Sequence, residues 1–404
     1  MDPAERRLIA YAAAAHSLTH IIELTYPALL SRIESDFGLR AVVTGAIATG
    51  FGWAFGSSAI PAGFLTDRVG SRRVVVYAFT AAAVMAAAVG LAPNAWLLAV
   101  ALVGLGLSVG LYHPAGLSLM AQGVRQRGMA IGLHGVAGNS GQALAPALAV
   151  GMAVMVDWRA GFFLVAILSA LMAAVMARVR LPVSGGLEVL TGRAATEPEV
   201  MQRGVQRRNL LASLLVVYAA FILGGTVYRG AITYLPKHLE AFVNEDFGGA
   251  FVTVALLMGA VGQLAGGFAS QRFPLERLAP VMALLAIPAL VATGLLGGGL
   301  LVMASSLFVF FYFGNQPVLT GLIADYAPAG AIGRSYGLSF FAGFGVGSLG
   351  GVIAGAFVDR WDTRAAFLGL TGFMAVTLAL LTVLLVMAER RRPSEPLAAA
   401  ASVS

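Results

Sequence analysis

Twelve apolar stretches, parted by short clusters of charge, proline or glycine, decide what this chain can fold into. They run near 8–33, 41–66, 73–92, 95–121, 128–152, 159–180, 209–236, 247–270, 278–298, 299–326, 333–357 and 364–388. Each holds roughly the 20 residues an α-helix needs to cross a ~30 Å hydrocarbon core. A backbone in lipid must satisfy its own polar groups, so such stretches read as transmembrane helices. The chain is 59% hydrophobic and 11% charged, where a soluble domain carries about 25% charge. Its 50 glycines suit helices that approach closely in a membrane. The absence of cysteine excludes disulfides, thiolate metal sites and thiol catalysis.

Positive charge falls in alternate loops. Arg68, Arg72 and Arg73, then Arg125 and Arg127, the segment from Arg178 to Arg208, Arg272 and Arg277, Arg334, and Arg390 to Arg392 all lie on one side. The other side is charge-balanced, as in Asp157/Arg159 and Asp359/Arg360/Asp362/Arg364. The positive-inside rule then puts both termini in the cytoplasm, in a membrane of the bacterial inner-membrane type. Met1–Arg7 is short and charged, and no cleavable signal is expected there. The +7 net charge is spent on topology, and no nucleic-acid partner is expected.

The chain also repeats itself. Pro114, Arg127 and the run Asp157-Trp158-Arg159-Ala160-Gly161-Phe162 recur as Pro317, Arg334 and Asp362-Thr363-Arg364-Ala365-Ala366-Phe367, offset by about 205 residues. The expected fold class is therefore an all-α membrane protein with twelve transmembrane helices in two pseudo-symmetric six-helix bundles around a central cavity. Residues 1–180 form the first bundle, 181–208 a cytoplasmic interdomain loop, 209–392 the second bundle, and 393–404 a disordered cytoplasmic tail.

Between the second and third stretches runs Gly63-Phe64-Leu65-Thr66-Asp67-Arg68-Val69-Gly70-Ser71-Arg72-Arg73. Gly70 supplies a turn, and Asp67 with Arg68, Arg72 and Arg73 sets a charge network at the membrane face. This pattern closely resembles the signature loop of the major facilitator superfamily, and the resemblance implies a major facilitator fold. It also implies that Gly63, Asp67, Arg68, Gly70, Arg72 and Arg73 act as a conformational gate. The matching second-half segment, Gly267-Phe268-Ala269-Ser270-Gln271-Arg272, has lost the aspartate. His16-Ser17-Leu18-Thr19-His20 together with Tyr112-His113-Pro114 is similar to the fosmidomycin-resistance-type efflux branch. Gly132, Gly135, Gly138 and Gly141 ahead of Pro146 resemble the glycine-rich span of antiporters, although the glycine–proline spacing differs.

Ionisable residues at bilayer depth cost several kcal/mol unless they face protein or water, so they point to a function. His16, His20 and Glu23 fall within roughly 60° on one helical face. With His113 they are the expected proton-coupling groups. In the resembled family the first helix of each three-helix repeat lines the cavity, and the unusual polar residues lie there. Tyr112, Tyr228, Arg229, Tyr312, Asn315 and Gln316, with His134 from the fifth stretch, are the expected substrate-binding set; Asn139 and Gln142 flank it. Arg229 could hold a carboxylate or phosphate bidentately or serve as counterion to Glu23. His238 reads as a loop-edge residue, and Asp325 as gate or topology.

These features predict a monomeric, proton-coupled secondary transporter, not an enzyme, whose partners are a small-molecule substrate, protons and the lipid bilayer. Export of a small organic compound by alternating access is the first expectation. Uptake of an organic anion by proton symport, export of a metal ion or metal chelate, and a non-transporting sensor are the alternatives. The paired histidines have metal-ligand chemistry, but no metal ion is assigned and no cofactor is expected.

Overall fold

The structure is a computed structural model and describes residues 3–124, 127–179, 203–328 and 332–390. The expected interdomain loop at 181–208 lies mostly outside these residues, and the expected tail at 393–404 wholly so. No strand occurs among the described residues, which are almost entirely helical.

The first half contains α1 (Pro3–Ala28), α2 (Leu30–Phe37), α3 (Ala41–Val69), α4 (Ser71–Gly90), α5 (Ala95–Gly110), α6 (Tyr112–Gly123), α7 (Arg127–Met155) and α8 (Trp158–Arg178). The second contains α9 (Arg203–Phe242), α10 (Val252–Ser270), α11 (Leu275–Leu295), α12 (Gly298–Tyr326), α13 (Ile332–Phe340), α14 (Leu349–Arg360) and α15 (Thr363–Glu389). Among the described residues, nine helices are long and apolar enough to cross a membrane; α5 with α6, and α13 with α14, each count as one.

Chain chemistry explains the breaks. Pro114 has no N–H to give the Gly110 carbonyl, and the α5–α6 junction falls between them. A π-helical turn at Phe341–Gly345 and a 3₁₀ turn at Val346–Ser348 interrupt the run from α13 to α14. The repeated aspartates are helix caps: Asp157 accepts from the Arg159 N–H and Asp362 from the Ala365 N–H, each at 2.8 Å. The repeated arginines lie on aromatic rings, Arg159 4.4 Å from Trp158 and Arg364 4.2 Å from Phe242.

Packing repeats as well. In the first half α1 lies on α7, α3 on α5, and α4 on α8; in the second, α9 lies on α14, α10 on α12, and α11 on α15. The halves meet along two seams, α3 with α14 and α7 with α10.

Among the described residues, the polar contacts that close the seams gather at one end. There the Asp359 carboxylate accepts from the Ala41 and Val42 N–H groups at 2.8 and 3.0 Å. These first amides of α3 have no capping side chain of their own. Lys237 pairs with Glu34, which also accepts from the Thr44 hydroxyl at 2.7 Å, and the Tyr234 hydroxyl donates to the Ala41 carbonyl. Thr49 donates to the Ser348 carbonyl at 2.8 Å. Gly45 sits so close to the Gly351 carbonyl that a Cβ would stand 2.3 Å from its oxygen. Toward the end bearing Gly63–Arg73 the same faces part. A Cβ at Gly63, Gly132, Gly135, Gly267 or Gly337 would meet nothing within 4 Å.

Candidate functional site

Glu23 lies where α1 faces α9, only 2% exposed. Its Oε2 is 2.5 Å from His20 Nδ1, and its Oε1 is 2.6 Å from Arg229 Nη2 of the other half. The second contact is one of charge, because no guanidinium N–H is aimed along it and, among the described residues, Arg229 Nε and Nη2 have no hydrogen-bond partner. Pro27, one turn after Glu23, cannot donate to the Glu23 carbonyl, and α1 ends directly beyond it. Arg229 is 7% exposed, and its guanidinium lies 4.9 Å from the Phe344 ring. The π-helical turn presents Phe344 there, as such turns often do at functional sites.

Four histidines gather on the first-half side. His16 Nε2 and His20 Nε2 are 3.2 Å apart. His16 stacks on His134 at 3.9 Å between centroids, and its Nδ1 lies 2.7 Å from the His134 carbonyl oxygen. His113 meets His16 and His20 edge-on, each at 5.3 Å, and packs against Phe55 and Phe340. Gly138 and Gly141 let α7 approach α1 here, against His16 and the Ser17 backbone. The Tyr112 hydroxyl donates to the Ala12 carbonyl at 2.6 Å and accepts from His134 Nε2 at 3.0 Å. Tyr112 is fully buried, so its hydroxyl ties α6 to α1 and α7 and does not border the cavity.

On the second-half side, Tyr228, Arg229, Tyr312, Asn315 and Gln316 line one cavity of about 60 Å³ with Phe344. Tyr228 and Tyr312 stack at 4.8 Å. The Tyr228 hydroxyl and Asn315 Oδ1 are buried without a hydrogen-bond partner among the described residues. Gln316 bonds Gln263, which bonds Asn139 across the α7–α10 seam. Gln142 reaches His20 at 3.3 Å.

The signature-loop residues lie apart from this site. Asp67 and Arg68 are exposed, and Asp67 has no ion pair among the described residues. Arg72 bonds the Met176 and Ala177 carbonyls of its own half, and Arg73 reaches back to the Val69 carbonyl. Gly70 turns with φ 87°, a left-handed conformation that favours glycine. Asp325 is exposed at the end of α12.

One expectation is corrected. His238 is not at a loop edge: it is 0% exposed inside α9, bonded to Thr363 Oγ1 at 2.7 Å and the Thr293 carbonyl at 2.8 Å. The helix runs past Pro236, and the end of α9 is held by α11 and α15. Sequence reading also missed Glu34, Lys237, Asp359 and Phe344. Glu34 and Lys237 fall one residue past the apolar stretches 8–33 and 209–236, where a charge reads as a helix end facing water.

A family model described as Major Facilitator Superfamily matches residues 12–351. The chain is 25% identical to the uncharacterized MFS-type transporter YfnC of Bacillus subtilis (strain 168), over 90% of each chain. It is 23% identical to a probable L-galactonate transporter of Escherichia coli (strain K12), over 62% of this chain and 58% of that protein. It is 22% identical to a probable sugar efflux transporter of Helicobacter pylori (strain G27), over 60% and 59%. Among solved structures, a bacterial homolog of the human lysosomal transporter Spinster, inward-facing and unoccupied, superposes with TM-score 0.79 at 16% identity, over 98% of this chain and 100% of that one. The nucleoside transporter NupG follows at 0.75 and 13%, over 93% and 99%. With its family model spanning most of the length, the chain belongs to the Major Facilitator Superfamily, whose members are membrane transporters.

Proposed function

We propose that this transporter couples proton movement to a small organic anion, with Glu23 as the coupling acid and Arg229 as the anion-holding group. The Glu23–Arg229 contact between the halves carries this reading. The planar guanidinium of Arg229 matches a carboxylate bidentately. While Glu23 is ionised it occupies the guanidinium; a proton on Glu23, taken through His20, His16 and His113, frees Arg229 for a substrate carboxylate. Proton and anion then favour each other's binding, which is the sign of symport. Two relatives support the class of substrate: the L-galactonate transporter, and a probable galactarate/D-glucarate transporter of Pseudomonas putida that is 52% identical over 44 residues. The cavity beside Arg229 holds only a few waters, so a substrate of that size enters as the halves part.

The same reading takes the nine apolar helices with α1, α3 and α7 as twelve spans, in bundles at 1–180 and 209–392. The protein sits as a monomer in the bacterial inner membrane, both termini cytoplasmic, open inward at the Gly63–Arg73 end. Asp67 and its neighbours act when that end closes. Export of a small organic compound is the second reading. The aromatic wall of Tyr228, Tyr312 and Phe344 and the sugar efflux relative favour it.

Flux in proteoliposomes under an imposed pH gradient tests both readings, with galactonate and glucarate as probes and a neutral sugar as control. Acid outside should drive accumulation of the anions, and Glu23→Gln should abolish it while exchange persists. Accumulation at wild-type rate in that variant would reject Glu23 as the coupling group, and expulsion under the same gradient would favour export.

A further inference from the structure

While Glu23 is ionised, the histidine cluster poses a hydrogen-bond conflict that neutral rings cannot resolve. The His134 carbonyl can only accept, so His16 carries its hydrogen on Nδ1 and a lone pair on Nε2. Glu23, ionised against Arg229, takes the Nδ1 hydrogen of His20 at 2.5 Å, in preference to the longer 3.3 Å approach of the Gln142 amide to the same nitrogen. This leaves a lone pair on His20 Nε2. These two lone-pair nitrogens face each other at 3.2 Å. A proton or a metal ion between them removes the conflict, and the third histidine nitrogen nearby favours the metal ion.

We propose that His16, His20 and His113 form a site for a divalent transition-metal ion of the Zn²⁺ or Co²⁺ class. Two imidazole nitrogens about 2.0–2.1 Å from a tetrahedral ion stand about 3.3 Å apart, close to the observed separation. The ligand atoms of all three histidines lie within 4.8 Å of one another. His113 Nδ1 is buried and has no hydrogen-bond partner among the described residues, so it can complete the set after a small shift. Both nearer ligands have the outer partners that orient metal-bound imidazoles, a carboxylate for His20 and a carbonyl for His16. Three imidazoles select borderline-soft ions over Mg²⁺ and Ca²⁺, which take oxygen ligands. His134 stays outside the set because its Nε2 is spent on Tyr112. The site rests on the orientation and spacing of the rings, and an ion bound there would occupy the nitrogens that the proton-coupled reading uses as its path.

Titration of tag-free, detergent-purified protein with Co²⁺ tests it. One equivalent should bind with the intense visible absorption of tetrahedral cobalt, and Zn²⁺ should displace it. His16→Gln and His20→Gln should each weaken binding about tenfold or more. His113→Phe, which keeps the ring packing against Phe55 and Phe340, should weaken it and shift the spectrum. His134→Gln keeps the carbonyl that orients His16 and should bind nearly as wild type. Zn²⁺ should also raise the unfolding temperature of wild type but not of His20→Gln. No saturable Co²⁺ or Zn²⁺ binding to the wild-type protein, or unchanged binding in folded His16→Gln and His20→Gln variants, would overturn the proposal.

Discussion

The two ends of the α3 face differ although its residues are of one kind. Gly45, Thr49, Gly52, Gly56 and Gly63 follow one another at helical spacing, so they share a face. At the sealed end this face is pressed on Gly351, Ser348 and Gly345; at the other end Gly63 looks onto open space. A glycine stripe is thus a surface able to close, and what decides whether it does so lies at its ends. The sealed end has Asp359 on the first amides of α3 and Lys237 on Glu34, whereas at the loop end Asp67 and Arg68 are exposed.

The largest effect is expected between the two ends, at the charge contact that joins α1 to α9. Arg229→Met leaves Glu23 buried without its counter-charge, and should cost about 3–5 kcal/mol in detergent unfolding. Adding Glu23→Gln should recover most of that loss. If the double variant stays as unstable as the single one, the contact is not what joins α1 to α9.

Next in size is the glycine pair that defines the comparison. Gly45→Ala drives a Cβ into the Gly351 backbone and should destabilise by about 1–3 kcal/mol. Gly63→Ala meets no atom and should be neutral or slightly stabilising through helix propensity. Equal melting temperatures for the two variants would mean the face is not differently packed at its ends.

Asp359→Ala removes a helix cap supplied from the other half, worth about 0.5–2 kcal/mol. Its loss should favour opening at the sealed end. The chain has no cysteine, so spin labels on cysteines introduced at Leu91 and Trp361, both exposed there, report the distance directly. An unchanged distance distribution would assign the seal to the other contacts.

The smallest effect is expected at Asp67. Asp67→Asn should change stability by less than about 0.5 kcal/mol, because the carboxylate is exposed and has no ion pair among the described residues. Turnover should nevertheless slow if the loop engages when its end closes. Wild-type flux would reduce the loop to a topology signal.

What the sequence could tell follows from range. The helices are local and were legible from periodicity; Pro114 and the aspartates at 157 and 362 were read only as marks of the repeat and of loop charge, although the helix break and the caps they make are local too. The face shared by His16, His20 and Glu23 was legible too, as helical geometry. The sealing contacts were not, because Glu34 with Lys237 and Ala41 with Asp359 join segments hundreds of residues apart and leave no periodic trace. Arg229 was a candidate either for substrate or for Glu23, and only the approach of α1 to α9 brings it against the carboxylate. His238 misled because its position near a proline and charged residues resembles a loop, while its partners Thr293 and Thr363 come from helices far along the chain.

The cap that Asp359 places on α3 also bears on how the protein is made. The ribosome delivers Ala41 and Val42 more than 300 residues before the carboxylate that binds them. Until then the first turn of α3 has only water or lipid headgroups for its amides, and it stays prone to fray. The early half therefore enters the bilayer with one helix start unfinished, and the late half completes it on arrival. Assembly of the two halves and completion of α3 are one event, so a chain stalled or cut before α14 would expose that frayed turn to proteases that survey the membrane surface.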